Sequence, residues 1–327
     1  MNLASKYLDY IGGVRRYSTR TLAIYSDVLQ RFSDFVMGQE ASILEDASLV
    51  SATAIRNYEV SMLDGGKEGS RTVNLHLSVL SSFCRFLMKE GLLSSNPAKS
   101  VPRPKMEKRL PDFYRKEAMD AYFDSTAPFA SEENLSLIGG QDRKLAADMY
   151  LRRLRRLVII LLYDTAIRRS ELLSLKVASV DFGRNVIKVR GKGDKMREIP
   201  LIVSLSKEIS LYLKSRELMV GDAAPADAPL LVTERGKALY PVWVDRCVKR
   251  ELGHAEGITG RRSPHVLRHT LATELLDDGA DLNSIKELLG HSSLAATQVY
   301  THNTIEKLRK VYNNAHPRAK NGGKDGD

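Results

Sequence analysis

The chain has 327 residues, of which 43% are hydrophobic and 28% are charged, and this length predicts two folded domains with separate cores. The longest apolar run, Leu157 to Tyr163, is far shorter than the roughly 20 residues that cross a membrane, and the start of the chain has no secretory signal pattern, so we expect neither a membrane protein nor a secreted one. Fifty Lys and Arg residues oppose forty Asp and Glu residues, and the net charge of +10 favours a polyanionic partner, because phosphate contacts release counterions.

Residues 1–100 have the pattern of a small bundle of about four helices. Two stretches, Ser18 to Val36 and Val73 to Leu87, carry apolar residues at steps of three and four, which line one face of a helix. Ser70 is placed to cap the second of these helices and Gly91 to end it. A shorter helix is expected over residues 52–63.

Residues 101–111 form a basic, proline-rich segment that we expect to be an extended linker. Proline resists helix formation because it lacks a backbone donor, and Arg103 and Lys105 are among the cations of the segment. Such a segment could lie along a phosphate backbone or serve only as a soluble connection.

Residues 112–314 predict a second domain of mixed structure, followed by a disordered tail, residues 315–327, that is rich in Lys, Gly and Asp. Two strand-like runs, residues 186–189 and 197–201, flank the sequence GKGD and predict a β-hairpin with a glycine-rich tip. The remaining regular structure is helical, with helices expected at Met149 to Tyr163, at Ser206 to Leu218 and after Pro241.

Residues 125–141 contain proline and a glycine pair, and we interpret them as an inserted loop. The sequence predicts no role for the wider segment, residues 125–150. The two cysteines, Cys84 and Cys247, lie in apolar or amphipathic stretches, which is typical of buried, reduced thiols in a cytoplasmic protein.

The residues most suited to chemistry begin in the stretch SPHVLRH. Ser263 suits a helix N-cap and Pro264 the first helical position, so a helix is expected to start here. His265 and Arg268 are three residues apart and therefore share a face of that helix. By themselves such residues are more often an ordinary surface pair than a site.

Further donors occur on both sides of this stretch. In LLGH, Gly290 ends a helix and leaves His291 at a turn. In TAIRRSELL, Arg168 follows an apolar helix, and Lys192 lies at the glycine-rich hairpin tip, where it can approach a ligand closely.

Together these residue types fit phosphoryl transfer. Two arginines can hold the non-bridging oxygens of a phosphodiester through planar forks of N–H donors. Histidines donate hydrogen bonds or move protons near neutral pH, a lysine can protonate a departing 5′-oxygen, and a tyrosine can attack phosphorus if a cationic pocket favours its phenolate. We find no Asp/Asp/Glu metal set, phosphate-binding Gly-x-x-x-x-Gly-Lys-Ser/Thr loop or zinc-like cysteine cluster in the sequence, so we expect no metal and no cofactor.

This pattern resembles the tyrosine site-specific recombinase, or phage integrase, family, and within it the Xer-like members. The resemblance is carried by TAIRRSELLSL, GKG, HVLRH, LLGH and Tyr300 in TQVYTH, in that order. The spacing also agrees, with 24 residues from Arg168 to Lys192 and nine from His291 to Tyr300. Taken together, five such pieces are a specific signal, although each alone is weak.

The resemblance implies a mainly α fold with a small antiparallel β-sheet in the catalytic domain. It also implies a C-shaped, two-domain clamp around double-stranded DNA, in which a helical SAM-like core-binding domain precedes the catalytic domain. The candidate DNA-contacting residues of the first domain and linker are Arg71, Arg103 and Lys105. We expect no arm-binding domain before the helical region, and this expectation favours a Xer-like enzyme.

The catalytic roles come from the resemblance, position by position. Arg168 and Arg268 would clamp the scissile phosphate, Lys192 would be the general acid, and His265 would assist proton transfer. His291 would be a further phosphate donor, Glu171 would support the first arginine, and Tyr300 would be the nucleophile that forms a 3′-phosphotyrosine bond.

Two departures concern the first arginine. Ala166 stands where the family commonly has glycine, and Arg169 where an apolar residue is usual. Arg169 is therefore a rival for the clamp position, but we prefer Arg168 for its spacing to Lys192 and to Glu171.

The resemblance also implies a homotetramer on two DNA sites. A short basic helix after Tyr300, with the apolar residues Ile305, Leu308 and Val311, would dock onto a neighbouring protomer; the alternative is packing on its own domain. The expected purpose is chromosome-dimer resolution or integration and excision of a mobile element. The alternatives are a DNA-relaxing enzyme like type IB topoisomerases and a catalytically idle DNA-binding accessory protein.

Overall fold

A computed structural model of the chain describes residues 2–38, 46–66, 68–106, 112–191, 194–221, 224–290, 315 and 318. The chain divides into two compact units between Arg109 and Leu110. It is mainly helical with one small antiparallel sheet, as the sequence predicted. None of the helices within the described ranges combines the length and apolarity needed to cross a bilayer.

The first unit is a helical bundle, and its described residues form the α-helices α1 (Leu3–Gly13), α2 (Thr19–Met37), α3 (Ala52–Leu63) and α4 (Ser70–Lys89). Ser18 caps α2, because its hydroxyl accepts a hydrogen bond from the backbone N–H of Thr21 at 3.3 Å. The predicted apolar stripes meet in one core, where Leu29, Phe32, Leu77 and Leu80 are almost fully buried. Each such side chain contributes about 1.5–3 kcal/mol through burial.

The prediction that Ser70 caps α4 is wrong. Gly69 is the N-cap residue and Ser70 is already the first residue of the helix. The predicted end is close to the observed one, because Glu90 is the C-cap and Gly91 follows in the left-handed conformation that favours glycine, with φ of +74°.

The second unit is organised around one long helix, α7 (Arg143–Asp164). The α-helices of its described residues are α5 (Lys116–Thr126), α6 (Asn134–Ile138), α7, α8 (Arg169–Leu173), α9 (Val203–Val220), α10 (Pro241–Glu251), α11 (Pro264–Asp277) and α12 (Leu282–Leu289). Helix α7 packs against α9, α10 and α11. Its last two turns are buried on all sides, which explains the continuous apolar run in the sequence.

The predicted hairpin belongs to a three-stranded antiparallel sheet in the order β1 (Val180–Asp181), β2 (Val186–Arg190) and β3 (Met196–Pro200). Lys188 pairs with Glu198 across the two longer strands. Strand β1 was not predicted, because two residues are too few to show an alternating pattern.

The interpretation of residues 125–141 as a loop is wrong. Helix α5 continues to Thr126, and a 3₁₀ turn (Ala127–Ala130) and α6 follow. Arg153 of α7 holds this segment in place, since its guanidinium donates to the carbonyl oxygens of Phe129 and Ser131 and, on α9, to that of Leu211. Hydrogen bonds to a buried cation hold this segment, so its sequence lacks the apolar periodicity from which a packed structure could have been predicted.

Candidate functional site

The first candidate arginine lies in a sharp turn between two helices. Helix α7 ends at Asp164, and Ala166 then adopts a left-handed backbone with φ of +48°. Arg168 is the N-cap residue of α8. The turn therefore carries the Arg168 side chain away from the apolar core that α7 occupies.

Glu171 fixes Arg168 at two points. Its Oε2 accepts a hydrogen bond from the backbone N–H of Arg168 at 2.7 Å, and its Oε1 accepts one from Nη1 of Arg168 at 2.8 Å. The backbone bond is the half of a capping box that the Glu at the third helical position supplies, so the same carboxylate caps the start of helix α8 and orients the arginine.

A second arginine, Arg197 of β3, holds the other side of this carboxylate. Its Nη1 donates to Oε1 of Glu171 at 3.0 Å and its Nη2 donates to Oε2 at 2.8 Å. The carboxylate of Glu171 thus accepts four hydrogen bonds, which fills its capacity. Burial acts to raise the pKa of Glu171, but the hydrogen bonds from Arg197 and Arg168 outweigh it and lower the pKa to about 2.

Three arginines from three elements meet at the C-terminal end of α12. Nε of Arg197 donates to the carbonyl oxygen of Leu288 at 3.2 Å, Nη2 of Arg268 donates to that of Leu289, and Nη2 of Arg168 donates to that of Gly290 at 3.3 Å. The last carbonyl groups of a helix lack partners within the helix and carry partial negative charge. Three successive carbonyl groups at one helix end therefore each accept a hydrogen bond from a different guanidinium group.

Glycine at position 290 allows the arginines to approach this helix end. It ends α12 in the left-handed conformation with φ of +61° and ψ of +48°. A Cβ at this position would lie 3.1 Å from Nη1 and 3.2 Å from Cζ of Arg197, closer than side chains normally pack. Glycine is therefore required both by the backbone and by the adjacent guanidinium group.

Arg268, on the second turn of α11, is only 8% exposed. Besides its bond to Leu289, its Nη1 donates to the carbonyl oxygen of Ala166 at 2.5 Å. Burial first, and then the positive charge of Arg168, lower the pKa of Arg268 to about 10. The guanidinium still carries its charge at neutral pH.

The contacts with described residues use two of the five N–H groups of Arg168, through Nη1 and Nη2, and two of Arg268. The other N–H groups of the two arginines have no acceptor among the described residues, and such groups can bind an anion. Two forks held at one helix end fit two oxygens of one tetrahedral anion, and a phosphodiester presents two such oxygens.

The other predicted site residues divide into described and undescribed ones. His265 is exposed on the first turn of α11, one turn before Arg268. The predicted N-cap position of Ser263 is confirmed, although its hydroxyl makes no cap hydrogen bond. Lys192, His291 and Tyr300 lie outside the described residues, and so do Ile305, Leu308 and Val311.

Arg169 binds a residue outside the candidate site. Its Nη1 forms an ion pair with the carboxylate of Asp245 on α10. The structure thus brings Arg168, and not Arg169, to Arg268 at the end of α12.

Sequence reasoning missed Arg197. A usable signal was present, because strict alternation places residues 197 and 199 of the predicted strand on one face, and Ile199 belongs in the core. A buried cation at such a position requires a buried acceptor.

The three candidate DNA contacts in the first unit are exposed, namely Arg71 on the first turn of α4, and Arg103 and Lys105. Nη1 of Arg103 donates to the hydroxyl of Ser78 on α4 at 2.9 Å. The start of the predicted linker therefore lies against α4. Within the part of the chain that the structure describes, no group of three His, Cys, Asp or Glu side chains could hold a metal ion.

Family models match both parts of the chain. The model described as "Phage integrase family" matches residues 143–307, and "Phage integrase, N-terminal SAM-like domain" matches residues 4–91. Similar proteins named "Tyrosine recombinase XerC" include those of Chlorobaculum tepidum (33% identical; 96% of this chain and 94% of that protein), Listeria monocytogenes (36%; 97% and 98%) and Bacillus subtilis (32%; 97% and 97%).

Solved structures share the fold at lower identity. Lambda integrase (residues 75-356) bound to DNA is 19% identical, with a TM-score of 0.61 over 91% of this chain and 95% of that chain. XerH bound to palindromic difH substrate is 19% identical, with a TM-score of 0.63 over 98% and 84%. The Tn1549 transposon integrase in complex with transposon right end DNA is 18% identical, with a TM-score of 0.64 over 95% and 99%.

Proposed function

This chain belongs to the phage integrase family of tyrosine recombinases, and we propose that it is a site-specific DNA recombinase that opens and rejoins strands through a 3′-phosphotyrosine bond at Tyr300. The observation that carries the proposal is the meeting of Arg168 and Arg268 at the end of α12. His291 follows that helix end directly in the sequence, and Tyr300 follows nine residues later.

The proposed reaction is a reversible transfer of one phosphodiester. The phenol oxygen of Tyr300 gives its proton to His265 and attacks phosphorus, the bond from phosphorus to the 5′-oxygen breaks, and Lys192 gives that oxygen its proton. Arg168 and Arg268 bind the two non-bridging oxygens, and His265 and His291 donate hydrogen bonds or assist proton transfer. The ester conserves the energy of the broken bond, so a 5′-hydroxyl of a second strand can reverse the step.

Arg168 and Arg268 suit the transition state better than the ground state. Negative charge on the non-bridging oxygens grows as the tyrosine oxygen enters, and fixed guanidinium donors need no reorganisation to meet it. Glu171 and the α12 carbonyl groups hold these donors in place before DNA binds.

We propose that the first unit contacts the DNA backbone through Arg71, Arg103 and Lys105. Arg103→Gln should weaken binding equally for all DNA sequences and lower the slope of log affinity against log salt by about 1, because one phosphate contact is lost. Fluorescence anisotropy at several salt concentrations measures this slope.

The control for that measurement is Arg31→Gln, since the exposed Arg31 is already paired with Glu68 at 3.1 Å. A slope that changes equally in both variants would show that overall charge, and not the Arg103 position, determines binding.

We also propose a homotetramer on two DNA sites that forms through the segment with Ile305, Leu308 and Val311. Sedimentation of the chain with DNA should show four protomers per pair of sites. Replacing Ile305 and Leu308 by serine should abolish the complex of four protomers with two sites and leave protomers bound to separate single sites; if the complex of two sites persists, the docking surface lies elsewhere.

Chromosome-dimer resolution and integration or excision of a mobile element use the same chemistry, and both fit the proposal. We place the action in the cytoplasm, where thiols such as the buried Cys84 and Cys247 stay reduced. Mapping the genomic DNA that the purified chain protects distinguishes the purposes, because one chromosomal site favours dimer resolution and sites at element ends favour integration.

The experiment that tests the function uses a nicked suicide substrate made from a protected site. The chain should form a covalent protein–DNA adduct and recombine two copies of the site. Tyr300→Phe should bind the DNA with unchanged affinity but form no adduct. Relaxation of a plasmid without the site would instead indicate a topoisomerase, and DNA binding with no adduct would indicate an accessory protein.

A further inference from the structure

Arg197 is placed where it can act on catalysis without touching DNA. Its side chain is only 5% exposed, and all three of its nitrogens donate hydrogen bonds inside the protein. It contacts Glu171, which holds Arg168, and it contacts the helix end that all three arginines share.

From these contacts we infer that Arg197 is the counter-ion of Glu171 and keeps that carboxylate from neutralising Arg168, so that Arg168 meets the DNA phosphate with most of its positive charge. The inference rests on the proposed function and adds a positioning residue to it. Arg197 is not itself a catalytic residue, because it acts only through Glu171 and α12.

The sharing of one oxygen supports this role. Oε1 of Glu171 lies 2.8 Å from Nη1 of Arg168 and 3.0 Å from Nη1 of Arg197. A carboxylate paired with a single arginine cancels most of that arginine's charge at such distances. With both arginines bound, the single negative charge is divided between two cations, and the more buried pair, Arg197 with Glu171, takes most of it.

The net charge of the site also depends on Arg197. Arg168, Arg197 and Arg268 carry three positive charges against one on Glu171, which leaves +2 for the phosphate. Without Arg197 the balance would fall to +1 while the orienting carboxylate remained. The chain thus gains the rigid support of Glu171 and keeps two positive charges at the site.

Arg197 also fixes the helix end. Its Nε donates to the carbonyl oxygen of Leu288, and its guanidinium lies against Gly290, whose carbonyl oxygen accepts from Arg168. Only a planar fork can reach a carboxylate with two nitrogens and a carbonyl group with the third.

The experiment compares Arg197→Met with the double variant Arg197→Met/Glu171→Gln, which removes both charges and restores the balance of +2. Single-turnover cleavage of the nicked substrate at saturating DNA should fall about 100-fold in Arg197→Met. The double variant should recover at least about 10-fold of that loss, although it lacks the same arginine. Arg197→Lys, which keeps the charge but not the fork, should fall between wild type and Arg197→Met.

The matched control removes another ion pair of the same sheet. Arg184 binds Glu198 of β3 through two hydrogen bonds of 3.0 and 2.8 Å, and neither of these bonds involves Arg168, Glu171, Arg197 or Arg268. Arg184→Met/Glu198→Gln should leave cleavage within about 3-fold of wild type. Urea unfolding of all variants separates lost cleavage from lost folding, and if Arg197→Met does not fold, the double variant and Arg197→Lys still report the effect of charge.

The inference is overturned if folded Arg197→Met cleaves like wild type, or if the double variant is no better than Arg197→Met. If wild type forms no adduct, the proposed function fails instead. Binding of inorganic phosphate, measured by calorimetry, then tests the inference separately: Arg197→Met should bind about 10-fold more weakly and the double variant should recover, whereas equal binding by all three proteins contradicts the role of Arg197.

Discussion

Nη1 of Arg268 donates to the carbonyl oxygen of Ala166 at 2.5 Å, and Ala166 is the one residue of the arginine turn with a left-handed backbone. Ala166 is fully buried. The turn therefore joins the two phosphate-binding candidates directly, since residue 166 positions Arg268 through its carbonyl group and Arg168 through the chain that follows.

Residue 166 should tolerate glycine and reject valine. Ala166→Gly removes a left-handed penalty of about 1–2 kcal/mol but adds about 0.4–1 kcal/mol of unfolded-chain entropy, so the free energy of unfolding should stay the same or rise by up to about 1.6 kcal/mol. Ala166→Val combines a branched side chain with positive φ in a filled space and should cost more than about 2 kcal/mol. Urea unfolding measures both variants, and equal stability of the two would contradict the strained turn.

Lysine variants of Arg168, Arg169 and Arg268 test which of the first two arginines holds the phosphate together with Arg268. Arg268→Lys should lower cleavage of a nicked substrate at least about 100-fold, because an ammonium group cannot replace a planar fork, and Arg168→Lys should behave alike. Arg169→Lys should keep cleavage within about 3-fold, since Lys can still pair with Asp245. A severe loss in Arg169→Lys with little loss in Arg168→Lys would move the clamp to Arg169.

Gly290→Ala should affect cleavage more than its backbone cost explains. The left-handed conformation costs alanine about 1–2 kcal/mol, and the new methyl group would also displace the guanidinium of Arg197. The control is Gly279→Ala, which has φ of +86° but open space around its Cβ. Both variants should unfold more easily in urea, and only Gly290→Ala should lose cleavage; a similar loss in both would remove the argument for contact with Arg197.

Glu274 should make stability depend on pH. Burial raises its pKa to about 7, although the hydroxyl of Tyr163 donates to its Oε2 at 2.5 Å. The folded protein therefore holds this proton more tightly than the unfolded chain, so the stability that the group contributes is complete below about pH 4.5 and is lost as pH rises through 7.

Glu274→Gln cannot ionise and should escape this loss. When the pH rises from 5 to 8, wild type should lose about 1–2 kcal/mol more free energy of unfolding than the variant does. This loss is smaller than the raised pKa alone would give, because the side chain is partly exposed and solvent screens its charge. Urea unfolding at both pH values, with the exposed Glu117→Gln as control, measures the effect. A difference that stays constant with pH would contradict the raised pKa.

Much of the fold was predictable because its helices are amphipathic and their ends follow local rules. Ser18 and Pro264 mark helix starts, Gly290 marks a helix end, and the residue 52–63 helix is observed as predicted. The 125–141 segment was not predictable, because Arg153 holds it through carbonyl groups far apart in sequence. No periodic pattern records such contacts.

The sequence predicted most of the described residues that form the site, but it did not predict the hydrogen bonds that hold them together. Spacing selected Arg168, Glu171 and Arg268, and the structure brings all three together. The role of the α12 carbonyl groups and of Arg197 depends on three elements that approach only after folding. Sequence spacing carries no information on which backbone oxygens a side chain will reach.

The central claim is that fixed guanidinium groups make the phenol oxygen of Tyr300 attack a DNA phosphorus. Its most direct test is to trap the adduct on a nicked substrate, digest protein and DNA, and identify by mass spectrometry the peptide that keeps a nucleotide. We expect one modified peptide, with a 3′-phosphate linked to Tyr300. A nucleotide on any other residue, or an adduct that survives Tyr300→Phe, would contradict it.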